Sequence, residues 1–139
     1  MARYFKEFND EKWEQVRTHP YYAKLRENNH ALAEKYISTT PPERKFSDLH
    51  LYVTTGNREK YQNVQWEYEA RMTTFFLEYM ISQDEKYLIH LADAIWSVCD
   101  MESWSIPAHV AETLSIAERR RNLDLCSTII GFRLSEILY

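Results

Sequence analysis

Apolar side chains recur along this chain at three- and four-residue steps, and polar punctuation cuts the pattern into segments of helical length. The first, Tyr4 to Arg17, sets Tyr4, Phe5, Phe8, Trp13 and Val16 at helical spacings, with Asn9 or Asp10 as N-cap of its second half. His19-Pro20 ends it, because the residue before proline avoids the helical region. Pro20 then suits the opening turn of a helix over Tyr21 to Ile37, striped by Tyr22, Leu25, Leu32, Ala33 and Tyr36. Residues 39–57 form a loop-rich connection that starts with Thr39-Thr40-Pro41-Pro42. Within it, Asp48 to Thr54 reads either as a short helix or, from Tyr52-Val53-Thr54, as an extended piece.

Gly56-Asn57 separates this connection from a long helix, Arg58 to Ile81, whose apolar positions are Tyr61, Val64, Tyr68, Met72, Phe75, Phe76 and Met80. Ser82 to Asp84 makes a short turn carrying N-cap side chains, and Glu85 favours the next first turn. The cleanest pattern follows, from Asp84 to about Met101. There Tyr87, Leu88, Leu91, Ile95, Val98 and Cys99 share one face. Pro107 breaks it at a corner, Trp104 to His109. Val110 to Asn122 has no clear pattern, and Arg119-Arg120-Arg121 reads as a surface run. Leu123 to Leu138 is a last helix lined by Leu123, Cys126, Ile130, Leu134, Ile137 and Leu138. The sum is an all-α chain of five to seven helices joined by short turns as antiparallel helical hairpins, with no sheet.

Composition narrows the picture. A length of 139 residues fits one domain, here spanning 1–139, with enough chain to bury a core. Two glycines and four prolines in a sequence rich in Glu, Lys, Leu and Ala favour long helices. The formal charge of -4 argues against a nucleic-acid partner. No stretch approaches a membrane span, and Met1 to Glu7 carries charge where a signal peptide needs an apolar run, so a cytoplasmic chain is expected. Cys99 and Cys126 sit in apolar helical patterns and read as two buried thiols rather than a disulfide.

Candidate chemistry is sparse. His19, His30, His50, His90 and His109 make no pair at metal-ligand spacing, so no metal site is expected. Glycine-rich phosphate loops and a nucleophile elbow are absent from the sequence, and no cofactor is implied. Asp93, Asp100 and Glu102 surround the end of the clean helix, where carboxylates can move protons, although a solvated helix face is the simpler reading. The corner Trp104-Ser105-Ile106-Pro107-Ala108-His109 concentrates polar and aromatic groups at one helix end. Tryptophan offers a flat face to a sugar ring, and histidine can bond hydroxyls or neutralise a carboxylate. The same residues also suit a structural corner, with Trp104 a core plug and His109 a cap.

The run Gly56-Asn57-Arg58-Glu59-Lys60-Tyr61, then Glu69-Ala70-Arg71, Tyr87-Leu88, Ile95-Trp96, Cys99, Trp104-x-x-Pro107-Ala108-His109 and Leu123-Asp124-Leu125, resembles the heparinase II/III-like family of polysaccharide lyases. The similarity covers roughly Gly56 to Leu138, and the W-x-x-P-A-H block before L-D-L is its most specific part. It implies a partial (α/α) toroid-like arrangement and an acidic polysaccharide as partner. Such enzymes cleave uronate-containing polymers by β-elimination: one group neutralises the carboxylate, a base takes the C5 proton, and a tyrosine protonates the leaving oxygen. The family's catalytic tyrosine and histidines lie in later helices and have no counterpart among these residues. No catalytic residue is therefore expected here, and the isolated chain is expected to be inactive. A full ring needs well over 139 residues, so the resemblance implies that this chain is the opening arc of one. Trp104 and His109 are the residues expected to line a carbohydrate cleft. An open arc leaves apolar faces without neighbours, so self-association through Ile130, Leu134, Ile137 and Leu138 is also expected. A helical protein–protein interaction module with no carbohydrate role is the alternative.

Overall fold

The computed structural model describes residues 10–110 and 115–138. Among these are seven α-helices: α1 (Asp10–Thr18), α2 (Ala23–Ser38), α3 (Phe46–Thr55), α4 (Glu59–Ser82), α5 (Lys86–Cys99), α6 (Ile116–Arg119) and α7 (Leu125–Leu138). Two 3-10 turns, Pro20–Tyr22 and Pro107–His109, complete the order, with no strand among the described residues. The expected positions from Tyr4 to Asn9 lie outside the described residues, as do 111–114 within the unassigned stretch.

Local chemistry explains most boundaries. At the end of α1, His19 Nδ1 accepts the Tyr21 N–H at 3.2 Å and Pro20 opens the first 3-10 turn. The ambiguous piece is helical, and α3 runs two residues earlier and one later than the stretch read from sequence. It ends where Gly56 takes φ 75° and donates its N–H to the Tyr52 carbonyl at 2.8 Å, a backbone shape that side chains resist. Gln83 ends α4 in the left-handed region at φ 57°. Asp84 Oδ1 then accepts the Lys86 N–H at 3.0 Å and shapes the turn into α5, whose N-cap position is Glu85, without a side-chain capping bond.

The 24-residue α4 is the axis of the molecule. Asn29 donates to the Thr74 carbonyl at 3.2 Å and Arg71 to the Tyr36 carbonyl at 2.8 Å, so α2 runs antiparallel to α4. The turn at 83–85 folds α5 back along the same helix as a second hairpin. The core joins Ala33 of α2, Met72 and Phe75 of α4, Tyr87, Leu91, Ala94 and Val98 of α5, Met101, and Ile130 and Leu134 of α7. Unusually, α4 also buries Gln62, Gln65, Glu69, Arg71, Thr74 and Glu78. Buried polar groups are costly unless paired. Glu78 accepts from Asn29 at 2.9 Å and bonds His30 at 2.8 Å, while Arg71 also donates to the Thr39 carbonyl at 3.1 Å and to Glu67 at 2.8 Å.

Three expectations change. Ile130 and Leu134 are inside the core and Ile137 packs against it, so the face expected to self-associate is occupied within the chain; only Leu138 of that set is exposed. Cys99 is exposed and Cys126 half-buried, not two buried thiols. The reason is geometric: Val98 faces the core, and the next residue turns about 100° away at the helix end. Leu123 is exposed because α7 begins only at Leu125. No described helix is long and apolar enough to cross a membrane.

Candidate functional site at the corner after the fifth helix

After α5 the chain is pinned into a corner by its own polar atoms. The Trp104 indole N–H donates inward to the Val98 carbonyl at 2.9 Å, and Gln65 of α4 donates to the Trp104 carbonyl at 2.8 Å. The ring is half-buried and packs on the core. Ser103 and Ser105 donate to the carbonyls of Arg119 (3.2 Å) and Asn122 (2.7 Å), drawing the segment before α7 against the corner. Pro107 fixes the 3-10 turn that presents His109.

Asp124 closes the arrangement. Its Oδ1 accepts the Ser127 N–H at 2.8 Å, capping α7, and its Oδ2 accepts the Ile106 N–H at 3.1 Å. The same Oδ2 lies 2.8 Å from His109 Nδ1, which must be the donor because a carboxylate only accepts. The His109 side chain is 43% exposed and that of Asp124 only 7%. Burial works to raise the Asp124 carboxyl, but the bonds from Ser127, His109 and Ile106 outweigh it and hold the group below its ordinary value. Cys126 sits in the first turn of α7, and donor atoms of His109, Asp124 and Cys126 all lie within 4.8 Å of one another. Burial first, then the charges of Asp124 and Glu69, push its thiol upward.

Cys126 also lines a cleft of about 500 Å³ between α4 and α7, together with Trp66, Glu69, Thr73, Ile129 and Arg133. Trp66 is half exposed at its rim. Arg133 donates to Glu69 at 2.9 Å, and burial keeps the Glu69 carboxyl above its ordinary value against the pull of Arg133 and a Gln65 hydrogen bond. A second cleft of about 140 Å³ is lined by Tyr36, Tyr68, Arg71, His90 and Asp93.

The residues singled out from sequence are thus divided. His109 stands exposed at the corner, whereas Trp104 has its polar atom turned inward. Trp96 is exposed on α5. Among the acidic residues, Glu102 faces Arg119 at 3.8 Å, while Asp93 lines the second cleft. Arg119 is only partly exposed, so the arginine run is a surface feature at Arg120 and Arg121 alone. Sequence reasoning missed Asp124, Cys126, Trp66 and Arg133 as site residues. Asp124 carried one usable signal, a capping residue three positions before Ser127. The cleft carried none, since its walls lie about sixty residues apart. No protein-family model matches the chain, and no curated protein matches it.

Proposed function

We propose that the chain is a helical wall segment of a heparinase II/III-like polysaccharide lyase, holding uronate-containing polysaccharide for β-elimination carried out by residues other than those described here. The observation that carries this reading is the His109–Asp124 contact at 2.8 Å. It joins the two blocks on which the resemblance rests most, W-x-x-P-A-H and L-D-L, at one exposed imidazole beside a concave surface. Asp124 orients the ring through Nδ1, leaving Nε2 for a sugar hydroxyl or carboxylate. Trp104 braces the corner. Trp66 offers the aromatic face in the adjoining cleft, where Arg133 supplies a cation for a uronate carboxylate.

Intrinsic tryptophan fluorescence, titrated with uronate oligosaccharides and with neutral ones of equal length, tests this. Saturable quenching by the acidic series, weakened about tenfold or more in His109→Ala and Arg133→Ala, is expected. No response to acidic oligosaccharides, or an equal response to neutral ones, overturns it. One observation favours the interaction-module reading: Leu125, Ile129 and Phe132 are exposed on α7. That reading predicts the absence of any sugar response.

A further inference from the structure

We propose that His109, Asp124 and Cys126 form a binding site for a zinc-class divalent cation, a property that goes beyond the carbohydrate reading and does not depend on it. Zinc takes imidazole nitrogen, carboxylate oxygen and thiolate sulfur, and a site with three protein ligands keeps a fourth position for water. One of each donor is present within 4.8 Å. They come from two places in the chain: the 3-10 turn Pro107–His109, and the start of α7, where Asp124 caps the helix and Cys126 lies in its first turn.

The carboxylate is held as a metal-bound one needs to be. The Ser127 N–H fixes Oδ1 and the Ile106 N–H steadies Oδ2, so Oδ2 meets the imidazole in a set direction. His109 Nδ1 and Asp124 Oδ2 are 2.8 Å apart around a shared proton. Tetrahedral ligands of zinc stand about 3.3 Å apart, so a cation replacing that proton requires only a small opening of the pair. The chemistry of the donor set agrees: a carboxylate, an imidazole and a thiol converge on one point, and a dication is matched by the anionic oxygen among them. On binding, the Cys126 S–H proton leaves to solvent as the metal–sulfur bond forms, and the imidazole proton moves from Nδ1 to Nε2. The exposed side chain of His109 gives the ion and its water an entry.

The test uses the full chain carrying Cys99→Ser, which removes the other thiol, with zinc alone and then cobalt as a spectroscopic stand-in. Calorimetry should find one zinc ion per chain, bound about tenfold or more tighter than in Cys126→Ser and His109→Gln. The cobalt form should show a thiolate-to-metal absorption band that disappears in Cys126→Ser. Both variants leave the Asp124 cap in place, so loss of folding does not stand in for loss of a ligand. Equal zinc affinity in parent and variants, no zinc binding, or a cobalt spectrum without the thiolate band overturns the proposal.

Discussion

Asp124 receives the Ser127 and Ile106 N–H groups and the His109 imidazole, and in doing so ties α7 to the corner after α5. Its carboxyl is held below the ordinary value of 3.8. A carboxylate lowered in this way contributes stability above its unfolded pKa and loses it as pH falls through the folded one. Asp124→Asn keeps the shape but not the charge, and should cost about 1 kcal/mol at neutral pH. The deficit should begin to shrink as the pH drops below about 4, where the carboxylate of the unfolded parent chain takes up its proton, and should be gone once the pH is below the lowered folded value as well. Urea midpoints measured from about pH 7 to about pH 3 check this, and a constant gap would show that the charge is irrelevant to the cap.

At the level of elements, the two glycines separate local backbone demand from composition. Gly56 ends α3 at φ 75°, and an added Cβ there would meet nothing within 4 Å. Gly56→Ala should therefore cost about 1 kcal/mol through backbone strain alone. Gly131 lies inside α7, and its added Cβ also meets nothing within 4 Å. Gly131→Ala should stabilise by about 0.5–1 kcal/mol, because alanine loses less freedom in a helix. Thermal melts of both variants read the opposite signs, and two changes of the same sign would refute the argument. The stop at Gly56 was legible in sequence because it depends on a few neighbouring residues. The helicity of Phe46–Thr55 was not, since Tyr52, Val53 and Thr54 favour extended backbone and burial of Leu49 beside α4 decides otherwise.

For the whole molecule, α4 collects α2, α5 and α7 on its flanks, and α7 closes the core with Ile130 and Leu134. The last helix is thus an internal support, whatever partners its exposed residues meet. Ile130 has no exposed surface, so Ile130→Ala should cost about 3 kcal/mol of folding stability through lost burial and the cavity left behind. Its sedimentation should match the parent at equal concentration. A variant of unchanged stability that sedimented as a smaller species would mean that this face works between chains. The clefts beside α4 belong to this scale too, because each needs walls from helices distant in sequence.

By itself the sequence determined the all-α class, the breaks at Pro20 and Gly56, the turn between α4 and α5 to within one residue, and the corner closed by Pro107. Proline rings, left-handed glycine and capping side chains act within a few residues, and helical periodicity is visible on one strand of text. Only the tertiary structure decided that His109 meets Asp124 and Cys126, that Trp66 and Arg133 share a cleft, and that Ile130 is buried while Cys99 is not. Those outcomes depend on which helix faces come together. That is settled by the summed burial of distant side chains, and it leaves no periodic trace along the chain.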